Sequence, residues 1–487
     1  MRNKGIKLKN IMTAIFILLL VPSFASCGSI KDETNDDTDT TDVVDDSGFV
    51  YENEEYDNFF DPHTSIYITM NFTSESLHNL SSFGGSNQDS TLHDIYHPCD
   101  VTIKVNEQVY EFKNAGAREK GNSSRRFLFD GEWFNGNYIN FSLKFNETFS
   151  DGYYKDYKDK SLKERIFLND MEKVYLKWNK NNDSTFTKEL YAQDILENEG
   201  IYVQKANICR VTILKDGVRW YGYSDINYHV YESIDKEFLQ RKMNIDEAAG
   251  DLYKGGASLN TDTLNSIGVE DNSKNLHYTY SLKTNKKTST HELLKNCIDV
   301  VNKVGDVQTV KEQLEATIDI EYLLKYLALM WVIGNPDDMR YNNNNTYFYF
   351  NSVSNKLYLI PFDNDSCFGI LKDMHYDLSN SDPLDLRNFI GYIPGTYQCE
   401  SHLLWRVILP ADSDNYPVIE EYQNKYLDLC YKYAKQYLNE EAFQNFTSSF
   451  ALAPSQLITY GGADNDSFVT YARNKLRTSE RFESARQ

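Results

Sequence analysis

The first half of the chain alternates. Ser65 to Phe72 and Val101 to Phe112 place an apolar residue at nearly every second position, the period that buries one face of a strand and leaves the other polar. Each run predicts a strand, and further strands are expected at Tyr138 to Phe145, Ala206 to Leu214 and Gly222 to Val230. Lys215-Asp216-Gly217 is a hairpin turn by composition. Helical spacing begins at Phe186 to Asn198. After Glu232 it dominates, with apolar residues three to four apart over Thr290 to Val304, Val310 to Ala316, Ile320 to Ile333 and Glu420 to Tyr437. Within that helical stretch, Thr346 to Asn351 and Lys356 to Pro361 read as an aromatic hairpin around Ser352 to Asn355. The expected fold is α+β and two-lobed, with a strand-rich part over 63–232 and a mainly helical part over 233–487, together one large domain.

What precedes His63 has another character. Arg2, Lys4, Lys7 and Lys9 stand ahead of the apolar run Ile11 to Val21, the pattern of a secretory signal. The run is shorter than the ~20 apolar residues of a membrane-spanning helix. It leads to Phe24-Ala25-Ser26-Cys27, so residues 1–27 are expected to be a lipoprotein signal peptide with the lipid on Cys27. Leu is commoner where Phe24 stands, and ordinary cleavage near Ser26 is the alternative. Either way the mature protein is extracytoplasmic; with the lipid it is anchored to the bacterial cell membrane. Residues 28–62 hold thirteen acidic side chains against Lys31 alone and are expected to form a disordered tether.

The formal charge of −22 argues against a nucleic-acid partner, which needs basic surface. Besides Cys27 there are six cysteines, at 99, 209, 297, 367, 399 and 430, with no CxxC pair. No zinc site is written in that spacing, and no disulfide pairing is selected.

Candidate chemistry concentrates in two segments. Gly334-Asn335-Pro336-Asp337-Asp338 and the run on to Asn345 separate an apolar helix from an aromatic strand. Ile360-Pro361-Phe362-Asp363-Asn364-Asp365 closes the following strand and leads to Phe368-Gly369. Asn and Asp are good turn formers, which alone would explain them. Two carboxylate clusters at one hairpin also match what phosphoryl transfer requires: oxygen ligands for Mg²⁺ or Mn²⁺ and a separate carboxylate for the attacking hydroxyl. Glycoside hydrolysis with paired carboxylates would use similar residues.

Several segments, in order, resemble the CotH kinase family, the atypical protein kinases first associated with the spore coat. Arg118-Glu119-Lys120-Gly121-Asn122-Ser123-Ser124 is similar to that family's R-x-(R/K)-G-N-S-S signature, and Ser142 to Phe145 to its lysine-bearing strand. Asp183-Ser184-Thr185 with Lys188, Gly222-Tyr223, Tyr231 to Asp235, the 334–347 segment and the 360–369 segment follow in register. The resemblance spans about residues 65 to 375 and implies a remote kinase-like fold that binds ATP between lobes and phosphorylates Ser or Thr of proteins on the cell or spore surface. It implies Asp337 as the catalytic aspartate and Asn345, Asp363 and Asp365 as metal ligands. Asp363 and Asp365 are expected two apart on a strand, sharing one face. Arg118, Gly121, Asn122, Ser123, Lys144 and Glu232 fall on the nucleotide side, Lys144 as the phosphate lysine with Lys120 and Lys188 as rivals, and Glu232 either near adenine or in a structural pair. Asp338 with Asn343 competes with Asp337 and Asn345. Phe362 stands where the family usually has Trp, and Pro336 where it often has Trp or Thr; neither change removes a carboxylate. A non-catalytic surface-binding lipoprotein and, further off, a carbohydrate-active enzyme are the competing functions.

Overall fold

The alternating segments pair edge to edge until the sheet closes. In chain order the first half contains α1 (Glu54–Phe60), β1 (Ile66–Phe72), α2 (Ser74–Gly84), β2 (His97–Val105), β3 (Gln108–Lys120), a two-residue ribbon β4 (Phe129–Asp130) with β5 (Trp133–Phe134), then β6 (Asn140–Lys144) and β7 (Lys173–Trp178). It continues with α3 (Lys188–Asn198), β8 (Ala206–Lys215), β9 (Val218–Arg219) and β10 (Ile226–Glu232). The order β1-β2-β3-β6-β7-β10-β8 is antiparallel throughout, and β8 returns to pair in parallel with β1. The result is a seven-stranded barrel, with β9 added at the edge of β8. Alternation fills its interior with Ile66, Ile68, Val101, Ile103, Phe141, Leu143, Val174 and Leu176. Asp216 and Gly217 both take positive φ at the β8–β9 turn, the conformation such two-residue hairpins require.

The computed structural model describes residues 51–486 except 85–90, 122–126, 131–132, 135–137, 151, 182, 184, 221, 256–257, 272–275, 371–377, 385–400, 409–415 and 453–465. The signal segment with Cys27, most of the acidic run, and Asn122 and Ser123 therefore lie outside the described residues.

The second half contains α4 (Lys236–Lys242), β11 (Asp251–Gly255), β12 (Ile267–Gly268), β13 (Tyr280–Leu282), α5 (Glu292–Val301), α6 (Val307–Thr317), α7 (Ile320–Ile333), β14 (Thr346–Phe350) and β15 (Leu357–Pro361). Four helices follow: α8 (His402–Val407), α9 (Glu420–Tyr437), α10 (Glu440–Ser449) and α11 (Asp466–Arg486). Asp306, Asp319 and Asn439 cap α6, α7 and α10 by accepting first-turn N–H groups. Almost every side chain of α7 is buried, so it forms the centre of a second core with α9, α5, α6 and one face of β14.

Four expectations need correction. Val101 to Phe112 is not one strand but a hairpin: Asn106 adopts φ 51°, the chain reverses, and β3 runs on to Lys120. The second half is not simply helical, because β12-β13-β11-β14-β15 forms a five-stranded sheet whose first three strands are too short to show a period. The acidic segment does not stay unstructured to residue 62. Tyr56, Phe59 and Phe60 give α1 an apolar face that packs on the barrel core, enough to order this end of an acidic sequence. Finally, α3 shares the second core through Tyr191, Ala192, Ile195 and Leu196, although it lies within 63–232.

Candidate active site

The barrel wall formed by β3, β6, β7 and β10 is apolar inside and cationic outside. Strand alternation that buries Ala117, Phe141, Leu143, Val174, Leu176 and Val230 turns Arg118, Lys120, Lys144, Lys173 and Lys177 outward. Register sets Lys177 beside His229 and Tyr175 beside Tyr231.

Lys177 is the hub. Its Nζ donates to Glu189 Oε1 at 2.8 Å and Oε2 at 3.0 Å, pairs with Asp363, and lies 3.3 Å from Asp365 Oδ2. Burial works against a charged ammonium there, yet Asp363, Asp365 and Glu189 together hold it well above the usual lysine range. Glu189 is nearly enclosed in the first turn of α3. Burial opposes its charge too, but Lys177, followed by His229, brings it down to about 2. Helix α3 is aimed by Asp183, whose carboxylate accepts the N–H groups of Thr185 and Lys188 and the Thr185 hydroxyl. The Lys188 ammonium is buried 3.7 Å from that same Asp183, so it serves the helix start.

The loop after α7 supplies the opposite side. Gly334 ends the helix at φ 63°, and a Cβ there would lie 2.0 Å from the Tyr471 hydroxyl. Asp337 accepts hydrogen bonds from three amides: Asn342 and Asn344 at Oδ1, Asn345 at Oδ2, the last at 3.0 Å. Asn343 and Asn345 adopt positive φ, which Asn tolerates better than most residues, and this lets the asparagine run curl around one carboxylate. Asp338 turns the other way. It is buried, accepts the N–H groups of Arg340 and Tyr341 through Oδ1, and burial pushes it up to about 7. The structure thus brings Asp337 to Asn345 and uses Asp338 to shape the turn.

The two acidic segments are tied together by Asn335. Its amide donates to the Asp363 carbonyl at 3.3 Å and to Asn364 Oδ1 at 3.0 Å, while its Oδ1 accepts the Asp337 N–H. Phe362 N–H to Asn345 O and Phe368 N–H to Ile333 O add two backbone links. Asp363 and Asp365 follow β15 rather than belonging to it, which corrects the shared-strand expectation: Asp363 sits at φ 61°, and convergence on Lys177 brings the carboxylates together. Burial, with Asp363 and Glu189 close by, pushes Asp365 up to about 7 despite Lys177.

Oxygen donors from Asp363, Asp365 and the Asn345 amide suit a hard divalent cation. The Asn345 nitrogen is engaged on Asp337, which leaves its carbonyl oxygen as the ligand end. Among the described residues no group of three or more His, Cys, Asp or Glu is placed to hold a metal ion. Mg²⁺ usually takes one or two carboxylates and completes its shell from substrate oxygens and water.

The remaining expectations divide. Arg118 pairs with Asp94 at 2.6 Å and lies over Tyr96; Lys120 sits 3.2 Å from the centre of the Tyr175 ring, its proton affinity pushed well down by burial and by Lys254. Gly121, at φ 115°, turns the chain out of β3. The Lys144 ammonium pairs with Glu147 at 3.0 Å, and the three carboxylates converge instead on Lys177, one strand over. Glu232 takes the second of its two expected places, a structural pair. It is fully buried, bound to Arg241 at 2.8 Å and to the Lys205 N–H at 2.7 Å, and its own backbone N–H and carbonyl are taken by Lys205 and Gln204. Lys177 and Glu189 escape a sequence reading because an outward lysine on a strand and a glutamate in a first helical turn are ordinary. Their only local signal is that Lys173 to Trp178 alternates.

Comparison with protein-family models matches residues 118–452 to one described as CotH kinase protein. Comparison with curated proteins gives no match. The matched span covers more than half of the chain and includes the end of β3, all of β7 and α3, the Asp337 loop and the Asp363 loop. The chain that builds this lysine-centred acidic site therefore belongs to the CotH kinase family.

Proposed function

We propose that the chain is an exported, metal-dependent protein kinase that moves the γ-phosphoryl group of ATP to Ser or Thr hydroxyls of secreted or surface proteins, held to the membrane by lipid on Cys27. The barrel and the second core act as its two lobes. The observation that carries this reading is the single ammonium of Lys177 shared by Glu189, Asp363 and Asp365. A glycosidase sets its two carboxylates about 5 to 10 Å apart across a sugar, whereas these two converge on one cation. A surface that only binds a partner gains nothing from burying an ammonium among three carboxylates.

In this reading Lys177, oriented by Glu189, neutralises nucleotide phosphate charge. Asp363, Asp365 and Asn345 hold Mg²⁺ or Mn²⁺, whose chemistry is to neutralise charge on the phosphate oxygens. Asp337, fixed by its asparagine cage, orients the acceptor hydroxyl and takes its proton. Arg118, Lys120 and the Gly121 turn border the phosphates.

The test is label transfer from γ-labelled ATP to a Ser-rich protein and to the chain itself, with Mg²⁺ or Mn²⁺, for wild type, Asp337→Ala and Asp363→Ala. Label in wild type and at most background in both variants is the expected result. Equal labelling by all three, or no label and no thermal shift with ATP and metal in wild type, overturns the reading.

A further inference from the structure

Behind the Lys177–Glu189 pair lies a second polar layer that none of the roles above uses. His229 and Tyr231 project from the outer face of β10 and are both almost completely buried. The imidazole faces Glu189 on α3, Lys177 on β7, Tyr231 on its own strand, and the ring and carbonyl of Phe186 ahead of α3. Its Nε2 lies 2.7 Å from the Phe186 carbonyl. A carbonyl only accepts, so Nε2 carries a proton and the Nδ1 edge is what remains for Glu189 and Tyr231. That edge is 3.7 Å from Glu189 Oε2 and 3.2 Å from the Tyr231 hydroxyl. Burial, followed by the Glu189 charge nearby, raises the proton affinity of the Tyr231 hydroxyl.

Glu189 has almost no access to water, so its carboxylate must be satisfied by protein on every side. Lys177 covers the side toward Asp363 and Asp365, and the Tyr231–His229 pair covers the back. We propose that His229, acting with Tyr231, is a positioning residue that fixes the Glu189 carboxylate and through it the Lys177 ammonium. The inference rests on Lys177 being the phosphate-orienting lysine of the proposed kinase. With this backing, Lys177 can shift its hydrogen bonds toward a nucleotide without leaving a bare buried carboxylate behind it.

Two substitutions divide the ring's two edges. His229→Gln offers an amide toward the Phe186 carbonyl and nothing at the Nδ1 position; His229→Asn offers a polar group at the Nδ1 position and abandons Phe186. The third variant, Tyr231→Phe, removes only the hydroxyl. Steady-state label transfer is measured on the full chain, with melting temperature recorded for each. Positioning through Nδ1 predicts that His229→Gln and Tyr231→Phe lose about tenfold or more in kcat with the ATP KM changed less than threefold, whereas His229→Asn stays within about threefold of wild type. A purely architectural histidine gives the reverse order, Gln above Asn, or rates that follow melting temperature alone, and either result overturns the inference while leaving the kinase standing. A wild-type chain without label transfer overturns both.

Discussion

At the residue scale, identity matters less than what surrounds each side chain. Lys144 and Lys177 are both outward lysines on neighbouring barrel strands, yet one has a single glutamate beside it and the other has three carboxylates. Lys177→Ala should cut label transfer by about a hundredfold or more, a barrier increase near 2.7 kcal/mol, while Lys144→Ala stays within about threefold. Adjacent aspartates separate in the same way. Asp337 carries three amide hydrogen bonds in an open loop; Asp338 is sealed inside, with Oδ2 lacking a hydrogen-bond partner among the described residues. Because the Asp338 carboxyl is raised to about 7, the folded state binds its proton more tightly than the unfolded chain does. Its contribution to stability is complete below the unfolded carboxylate range and is lost as pH rises through about 7. Chemical denaturation from pH 5 to 8.5 should show that loss in wild type and a flatter profile in Asp338→Asn.

At the element scale, the site depends on how helices and loops are held to the barrel. Glu232 ends β10, Arg241 sits in the last turn of α4, and Asp170 accepts the other end of the same guanidinium at 2.9 Å. The three are largely buried, so Glu232→Gln should cost about 3–5 kcal/mol, because it leaves a guanidinium half-compensated in the interior. Urea unfolding measures this; an unchanged midpoint would mean that Arg241 finds another partner. Gly334 is the corresponding point between α7 and the Asp337 loop. Gly334→Ala meets both a left-handed backbone and the Tyr471 hydroxyl, which donates to the Val332 carbonyl at 2.9 Å. Label transfer and thermal stability should fall together, since one clash displaces both the helix end and Asp337.

At the scale of the whole molecule, the acidic site joins distant elements: the barrel contributes Lys177 from β7, α3 contributes Glu189, and the loop after β15 contributes Asp363 and Asp365. ATP with Mg²⁺ should stabilise the chain by about 2.7 kcal/mol at a hundred times its Kd, an effect EDTA removes and Asp363→Ala lacks. Melting curves with and without chelator check this. The chain by itself determined the inner and outer faces of strands such as Ile66–Phe72, because alternation there leaves one arrangement that buries apolar surface. It also determined α7, the 346–361 hairpin, and the three aspartates, since carboxylates clustered at strand and helix ends are visible without a fold. Only the tertiary structure decided which lysine serves them, that Glu189 joins them, that Glu232 is spent on Arg241, and that Asp338 faces inward. Local sequence governs periodicity and turns, which act over a few residues. Pairing between Lys177 and Asp363 spans 186 positions of chain and exists only once both cores have closed around it.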